Sequence, residues 1–365
     1  MGNVIRWGIL GTGQIAGVVA QDFRLLSNAK LLAVGSRDQT RAQTFARQHG
    51  IAKAYGSYED LLQDGDIDVV YIATPQMRHR DDAIACICSG KAVLCEKPFT
   101  LNAHEARAVI QAARSRGVFC MEAMWMRFIP LIREVKTRIA QGEIGEMTHL
   151  TAQFGNPKPF TPQHRHFNPH LGGGCLLERG VYPISLAFYL LGRPAAIESQ
   201  ADIGPSGVDM TSDYRLQYDA GAEAVLGSSN RVYRPAEATI RGTAGEIHIH
   251  APFLRPHRIT VRPGHRVGGK PGRRSLGITR TRVYQGVKRL LDRGLSALGG
   301  HGDVFERFPG HGYQFELEAV TRCLQSGKLE HESMPLDETL AIMEVMDDIR
   351  RQWGLVYPSE RESLP

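Results

Sequence analysis

The first 122 residues alternate short apolar runs with segments that have the apolar spacing of a helix. Val4–Leu10, Lys30–Gly35 and Asp68–Thr74 are nearly continuous apolar runs, and a helical pattern follows each of them. Parallel strands show such runs because helices cover both faces of a parallel sheet. The alternation therefore predicts a doubly wound α/β domain over residues 1–122. The length of the chain leaves room for a second domain over residues 123–365.

The first predicted strand ends in a glycine-rich turn at the start of a predicted helix. Gly11 permits a tight turn, and Gly13 lets the backbone approach a phosphate closely. Ala16 is small enough for the helix to pack against the strand, and the amides of the first helical turn then face the phosphates. Because the turn lies between a strand and a helix, it predicts a dinucleotide-binding site that includes Gly11, Gly13, Gln14 and Ile15.

The residues after the second predicted strand are hydroxylated and basic. An NAD-binding site usually has an Asp or Glu at the end of this strand, where it binds the ribose hydroxyls. Here the strand ends in Ser36 and Arg37, and Arg41 lies one helical turn further on. These three side chains suit the 2′-phosphate of NADP. We therefore predict NADP as the cofactor, with NAD still possible because Asp38 is within reach of a ribose hydroxyl.

A lysine and a tyrosine occur in otherwise apolar surroundings. Lys97 closes an apolar strand pattern, and Tyr182 lies in an apolar helix pattern. A tyrosine has an ordinary pKa near ~10, and a nearby ammonium group favours its phenolate and lowers that pKa. Such a pair can take the hydroxyl proton when hydride leaves a secondary alcohol. Glu96 and Lys97 also fit a solvated ion pair before a proline, and Tyr182 also fits a core aromatic residue.

The second half of the chain has the pattern of a β-rich α/β domain. Strand-like segments bounded by Gly, Pro and Asp occur at Met147–Phe154, Ile197–Ile203, Asp213–Tyr218, Ala222–Gly227, Ala236–Arg241 and Glu246–Ile249. Helical patterns occur at Leu176–Leu191, Tyr313–Gln325 and Leu336–Trp353.

Positive charge is concentrated in one segment. The chain has a net charge of +6, but residues 251–300 contain twelve Lys or Arg and a single acidic residue, Asp292. We predict a basic insertion at about 251–300 that is either solvated or seeks a phosphate or a partner. Nucleic-acid binding is not expected, since no DNA-reading motif or interleaved aromatic residues accompany the charge.

Other compositional features predict a soluble cytoplasmic protein. The chain has no apolar run of the length that crosses a membrane, and its first strand-like run leaves no room for a signal peptide. The six cysteines form no CxxC pair, which is typical of reduced, buried thiols. His164, His166 and His170 are clustered but have no acidic or cysteine partner at metal-ligand spacing, so no metal site is expected.

Several motifs together resemble the glucose–fructose oxidoreductase and inositol dehydrogenase family. They are the glycine turn at 11–16, Ala73-Thr74-Pro75, Glu96-Lys97-Pro98, and Gly172-Gly173-Gly174 followed by Gly180-x-Tyr182. Residues 121–128 and 350–358 are closer to the branch that contains dimeric dihydrodiol dehydrogenase and NADP-dependent xylose dehydrogenase. The resemblance implies an N-terminal Rossmann dinucleotide-binding domain and a C-terminal α/β domain with an open, mostly antiparallel sheet. It also implies a homodimer or higher homo-oligomer formed through that sheet.

The family resemblance assigns roles to the candidate catalytic residues. It implies that Tyr182 is the acid/base and that Lys97 is its electrostatic partner. Glu178 stands where the family commonly has aspartate, and Arg179 follows where an apolar residue is common. Glu178 is therefore predicted either to hold a substrate hydroxyl or to be neutralised by an arginine. The remaining cofactor contacts are predicted at Thr74, Pro75, His79, Glu96 and Lys97.

The resemblance also places substrate contacts at Trp125, Arg127, Phe154 and Arg165, and it implies a function. We expect an NADP-dependent oxidoreductase that acts on a CH–OH group of a sugar, polyol or dihydrodiol. Two alternatives remain open at this point. One is a family relative that uses bound NAD transiently to cleave a glycosidic bond. The other is a non-enzymatic NADP sensor that regulates a partner protein.

Overall fold

Six parallel strands form the first sheet of the protein. The computed structural model describes residues 4–264 and 302–361. In chain order the strands are β1 (Ile5–Leu10), β2 (Ala29–Gly35), β3 (Lys53–Tyr55), β4 (Val69–Ile72), β5 (Ala92–Glu96) and β6 (Cys120–Ala123). Their order in the sheet is β3-β2-β1-β4-β5-β6, and all five neighbouring pairs are parallel. This is the doubly wound order of a Rossmann sheet, and it confirms the predicted fold class.

Helices follow these strands, and polar side chains cap the first turn of three of them. The helices are α1 (Gln14–Asp22), α2 (Gln39–His49), α3 (Tyr58–Gln63), α4 (His79–Cys88), α5 (Ala103–Arg116) and α6 (Pro130–Ala140). The side chain of Ser57 accepts a hydrogen bond from the amide of Asp60, and that of Asn102 accepts one from Glu105. A cap of this kind depends only on residues within one turn.

The second sheet has eight strands and is mostly antiparallel, as predicted. Its strands are β7 (Met147–Gly155), β8 (Ala196–Ile203), β9 (Asp209–Gln217), β10 (Glu223–Ser229), β11 (Ala238–Gly242), β12 (Gly245–Ile249), β13 (Arg258–Pro263) and β14 (Asp303–Phe305). Their order is β14-β13-β12-β11-β7-β10-β9-β8. Among the described strands of this sheet, only β7 and β10 pair in parallel.

A π-helical turn breaks the apolar helix that the sequence predicts at Leu176–Leu191. The turn spans Leu176–Gly180, and the regular helix α7 (Val181–Leu191) follows it. The buried Asp209 carboxylate accepts a hydrogen bond of 2.7 Å from the amide of Leu176 and so fixes the start of the turn. The turn packs against β7 and β10, and α7 packs against the same two strands.

The C-terminal helices return to the first sheet. They are α8 (Gln314–Gln325), α9 (Leu336–Gln352) and the short α10 (Pro358–Arg361). Helix α8 packs against β1 and β2, whereas α9 contacts α5 and β6 on one side and α7 and β8 on the other. Part of the chain after residue 123 therefore packs against the first sheet. No described helix is long and apolar enough to cross a membrane.

Part of the predicted basic insertion is regular structure. Strand β13 lies within residues 251–264 and joins β12 to β14 in the second sheet. In this strand the basic Arg258 and Arg262 flank the buried residues 259–261. Sequence analysis missed the strand because the high charge of the segment hid its apolar residues. The rest of the predicted insertion lies outside the described residues.

Asp22 connects the first helix to the returning C-terminal segment. It is buried, and its carboxylate accepts hydrogen bonds from the backbone amides of His311 (2.8 and 3.0 Å) and Tyr313 (2.9 Å).

Replacing Asp22 with Ala is expected to lower the free energy of unfolding by about 3 kcal/mol, because amides in the interior lose their acceptor. Urea denaturation measures this change. The matched control is Asp81→Ala at an exposed ion pair, where a change within about 0.5 kcal/mol is expected. Equal losses in the two variants would contradict this role of Asp22.

Candidate active site

The predicted cofactor residues meet at one edge of the first sheet. Because β1, β2, β4 and β5 are parallel, their carboxyl ends lie at the same edge. Gly11, Ser36, Ala73 and Lys97 immediately follow these strands. The strand order reverses between β1 and β4, and open α/β sheets bind ligands in the crevice at such a point.

The glycine turn has the shape of a phosphate cradle. Gly11 has a φ of +102°, and a Cβ there would lie 2.7 Å from the carbonyl oxygen of Ala73. A Cβ at Gly13 would meet no atom within 4 Å, so the backbone of this residue faces open space. Among the described residues no side chain caps the first turn of α1, which leaves its amides available to an anion. These residues fit the pyrophosphate of a dinucleotide.

The preference of a Rossmann domain for NAD or NADP depends on the residues after β2. Asp38 caps α2, since its Oδ1 accepts hydrogen bonds from the amides of Thr40 (2.8 Å) and Arg41 (3.1 Å). The Arg41 Nε lies 3.7 Å from the Asp38 carboxylate. Arg37 and Arg41 are exposed, whereas Ser36 is buried. The carboxylate that was left open as a ribose ligand is thus engaged by the helix.

His79 joins two loops at this edge. It is buried, with Nδ1 2.8 Å from the carbonyl oxygen of Pro98 and Nε2 3.0 Å from that of Thr74. Burial lowers the pKa of His79. Thr74 donates a hydrogen bond of 2.7 Å to Asp82. His79 and Thr74 therefore shape the crevice by holding the ends of β4 and β5 in place, and Pro75 follows Thr74 in the same loop.

Lys97 is held between the two sheets. Its Nζ donates a hydrogen bond of 2.9 Å to the carbonyl oxygen of Glu178 and lies 3.8 Å from the Glu178 carboxylate. The same nitrogen lies 4.9 Å from the centre of the Tyr182 ring. Burial alone would lower the pKa of Lys97, but the surrounding acidic groups, Glu178 foremost, outweigh it and the pKa is raised. Lys97 is therefore an ammonium at neutral pH.

A buried glutamate lies beneath Lys97. Glu96 accepts hydrogen bonds from the hydroxyl of Tyr71 and from the amide of Lys97, the latter at 3.0 Å. Burial raises the pKa of Glu96. Through these contacts the Glu96 carboxylate holds the backbone at Lys97 in place.

Tyr182 faces Lys97 from the second domain. Its hydroxyl accepts a hydrogen bond of 3.2 Å from the indole nitrogen of Trp125, and Phe154 packs edge-on at 6.0 Å between ring centres. Burial raises the pKa of Tyr182, whereas the charge of Lys97 opposes that rise. Lys97 thus acts in the predicted direction, but burial outweighs it and the phenol is protonated in this state.

Glu178 is paired with Arg165. The two terminal guanidinium nitrogens of Arg165 donate hydrogen bonds of 3.0 and 3.1 Å to the two carboxylate oxygens of Glu178. Burial opposes the charged form of Glu178, but Lys97, Arg165 and His166 together lower its pKa to about 2. Of the two predicted arrangements, this state shows the carboxylate neutralised by an arginine.

Arg127 lies in the protein interior, and its position does not match the expected substrate contact. It is fully buried, and its guanidinium donates hydrogen bonds to the hydroxyl (2.8 Å) and carbonyl oxygen (2.8 Å) of Ser185 and to the carbonyl of Ser333 (3.0 Å). The Glu338 carboxylate lies 2.6 Å away. All three guanidinium nitrogens are therefore engaged in tying α7 to the segment before α9.

Three residues near Lys97 and Tyr182 were not predicted as ligand contacts. Arg179 donates a hydrogen bond of 2.6 Å to Asn230 and lies 5.1 Å above the ring of Phe154. His166 lies 3.9 Å from the Glu178 carboxylate, and burial lowers its pKa to about 4. Arg179 could have been found in the sequence, because it is a basic residue at a position where an apolar residue is common. No sequence pattern pointed to Asn230, because this residue reaches the site only through the pairing of β10 with β7.

The described residues contain one group of side chains spaced for a metal, away from the histidine cluster considered in the sequence. Glu237, His248 and His250 lie on β12 and beside it, with ligand atoms within 4.8 Å of one another. Arg258 donates a hydrogen bond of 2.8 Å to Nδ1 of His250, and a cation in this position opposes metal binding. The group is separate from Lys97 and Tyr182.

Comparisons with known proteins support the fold and the reaction class. Residues 5–124 match the model of an oxidoreductase family with an NAD-binding Rossmann fold, and residues 132–248 match its GFO/IDH/MocA C-terminal domain. The trans-1,2-dihydrobenzene-1,2-diol dehydrogenase of Bos taurus is 32% identical over 361 residues, which cover 98% of this chain and 99% of the relative. That of Xenopus laevis is 33% identical over 357 residues, covering 97% and 99%.

Solved structures share the fold at lower identity. The aldose–aldose oxidoreductase of Caulobacter crescentus has a TM-score of 0.78 and 22% identity, with 96% of this chain and 98% of that chain covered. The 3-ketoreductase KijD10 of Actinomadura kijaniata, solved with NADP and TDP-benzene, has a TM-score of 0.75 and 23% identity, with 96% and 98% covered.

Proposed function

Because this chain belongs to the GFO/IDH/MocA oxidoreductase family, we propose that it is an NADP-dependent dehydrogenase or reductase with Tyr182 as its acid/base. It transfers hydride between the nicotinamide and a CH–OH carbon of a sugar, polyol or dihydrodiol. The observation that carries the proposal is the position of Lys97, whose ammonium lies 4.9 Å above the ring of Tyr182 at the carboxyl end of β5.

The cofactor supplies the hydride acceptor or donor, and the protein supplies the proton transfer. In the reductive direction Tyr182 gives its proton to the carbonyl oxygen as that oxygen gains negative charge. The resulting phenolate is stabilised by the Lys97 ammonium and by the hydrogen bond from Trp125. In the oxidative direction Tyr182 takes the proton from the hydroxyl. The buried position of Tyr182 and the ring of Phe154 exclude water from this step.

We propose NADP as the preferred cofactor, because the residues after β2 offer two exposed guanidinium groups and no free carboxylate. In this proposal Arg37 and Arg41 bind the 2′-phosphate, and the Ser36 hydroxyl adds a hydrogen bond donor. Asp38, which would repel that phosphate, is turned towards the helix amides. NAD remains the alternative cofactor.

We also propose a cytoplasmic homodimer. The described cysteines are all free, which suits a reducing compartment. The exposed side of the second sheet is polar, and its charges already pair within the chain, as in Arg241 with Glu246 and Arg234 with Asp213. A dimer through this sheet would therefore join surfaces with few unpaired charges.

The two rival functions use the same fold but differ from a dehydrogenase in what an assay would detect. A glycosidase of this family would regenerate its cofactor in each cycle, and a sensor would bind the cofactor without turnover. No feature of the described residues favours either rival over net hydride transfer, and the position of Lys97 beside Tyr182 supports hydride transfer.

Cofactor preference is tested by Arg37→Glu. This variant is expected to lower kcat/KM for NADP by at least about tenfold and to leave kcat/KM for NAD nearly unchanged, because only NADP carries the 2′-phosphate. Steady-state kinetics with each cofactor measures both values. Arg47→Glu makes the same charge change in the last turn of α2 and is the control. Equal losses with both cofactors would rule out the proposed phosphate contact.

The catalytic role of Tyr182 is tested by Tyr182→Phe. Its kcat is expected to fall by about 10²–10⁴ while the Kd for NADP and the Tm stay close to wild type, because only the proton-transferring hydroxyl is lost. Turnover over a panel of aldoses, polyols and dihydrodiols gives kcat, and fluorescence titration gives Kd. Tyr233→Phe, at a tyrosine that is 71% exposed, is the control. Wild-type turnover in Tyr182→Phe would refute the acid/base assignment.

A further inference from the structure

A buried cation without a matching anion lies beside the catalytic pair. Arg179 is 5% exposed, and no ion pair to it exists among residues 4–264 and 302–361. Its Nε donates to the neutral amide oxygen of Asn230, and its guanidinium lies over the ring of Phe154. Burial lowers the pKa of Arg179, which shows that its surroundings disfavour the charge. A buried charge that lacks a partner is costly unless a ligand supplies one.

The charges around Arg179 leave a surplus of one positive charge. Two cations face the Glu178 carboxylate: Arg165, through two hydrogen bonds, and Lys97, whose Nζ lies 3.8 Å away and which directly follows the buried Glu96. The nearby His166 is neutral at pH 7, because burial lowers its pKa to about 4. The cation that remains is Arg179. A site with this balance favours a ligand group that carries a single negative charge.

Unpaired hydrogen bond donors accompany the surplus charge. The amide nitrogen of Asn230 is buried and has no hydrogen bond partner in the described structure. Since the amide oxygen of the same group accepts from Arg179, this nitrogen is next to the guanidinium. With its Nε engaged, Arg179 still has two terminal nitrogens, which match the two oxygens of a carboxylate.

This cluster lies one aromatic ring away from the proposed acid/base. Phe154 contacts the Arg179 guanidinium at 5.1 Å and the Tyr182 ring at 6.0 Å. Arg179 also follows Glu178, whose carbonyl oxygen binds Lys97, so the cation is carried by the same π-helical turn. The distance across one ring suits a short substrate with its charged end on Arg179 and its reacting carbon at Tyr182.

We propose that the substrate is a polyhydroxylated carboxylic acid, such as a sugar acid, and that Arg179 and Asn230 bind its carboxylate. The inference rests on the proposed hydride transfer and adds to it the chemical class of the substrate. A neutral sugar in this site would leave the guanidinium and the Asn230 amide without partners, and sites built around buried polar groups discriminate strongly against ligands that lack the matching group.

The experiment compares acid and neutral substrates that differ only at the charged end. The pairs are D-glucuronate with D-glucose, D-galacturonate with D-galactose, and D-gluconate with D-sorbitol, each assayed with NADP or NADPH. For at least one pair, kcat/KM for the acid is expected to exceed that for the neutral partner by about tenfold or more. Arg179→Leu is expected to reduce this ratio to about two or less, because the unpaired cation is gone while Tyr182 and Lys97 remain.

Two further variants separate recognition from structural damage. Asn230→Asp places a carboxylate against Arg179, so it is expected to remove the acid preference while raising the Tm of the protein without substrate. Arg231→Leu removes an exposed arginine that pairs with Asp202 and is expected to leave the ratio unchanged. Equal loss of acid and neutral turnover in Arg179→Leu, with a lower Tm, would show a purely structural arginine and overturn the proposal.

A binding assay tests the site independently of turnover. The Tm of the NADP-saturated wild type is expected to rise more with the acids than with their neutral partners, and this difference is expected to vanish in Arg179→Leu. No difference in wild type would overturn the carboxylate site. Turnover that favours neutral sugars would overturn it too, but would leave hydride transfer intact. Preferential binding of the acids without any turnover would support the carboxylate site and contradict the proposed reaction.

Discussion

The hydrogen bond from the Lys97 ammonium to the carbonyl oxygen of Glu178 is the contact on which the site depends. Lys97 ends the parallel strand β5, and Glu178 belongs to the π-helical turn above the second sheet. The bond therefore fixes the end of β5 in the first sheet against the turn that leads into α7. It also sets the distance between the ammonium and the Tyr182 ring, because Tyr182 begins the helix that continues from the turn.

The buried surroundings of this contact determine the protonation states. Lys97 stays charged, since nearby negative charge outweighs the effect of burial on its pKa, and Tyr182 stays protonated, since burial outweighs the effect of Lys97 on its pKa. The protein without ligands thus holds a neutral phenol beside a cation, which is the state that a reduction requires. The positive charge of an oxidised nicotinamide in the crevice would favour the phenolate.

Local patterns in the sequence predicted most of the first domain. The glycine turn at Gly11 and Gly13 depends on neighbouring residues, so sequence spacing is enough to find it. The mostly antiparallel second sheet followed from the family resemblance, and its strands from alternating apolar residues.

Features that depend on contacts across the fold were not predicted. The buried carboxylate of Asp209 starts the π-helical turn at Leu176, and a distant strand supplies it. Asn230 meets Arg179 only after β10 has paired with β7, so neither residue shows this contact in its own neighbourhood. Arg127 was misplaced for a related reason: an arginine next to Trp125 looks like part of the pocket, whereas its partners in α7 bury it completely.

Net transfer of hydride from the substrate carbon to a cofactor bound by this chain is the central claim, and isotope transfer tests it most directly. A substrate deuterated at all of its carbinol carbons is incubated with the protein and oxidised NADP, and the reduced cofactor is isolated and analysed by mass spectrometry. The account predicts one deuterium in each molecule of reduced cofactor, with slower turnover than for the undeuterated substrate. Product that forms without any labelled reduced cofactor would contradict the account and would favour a reaction that regenerates its cofactor in every cycle.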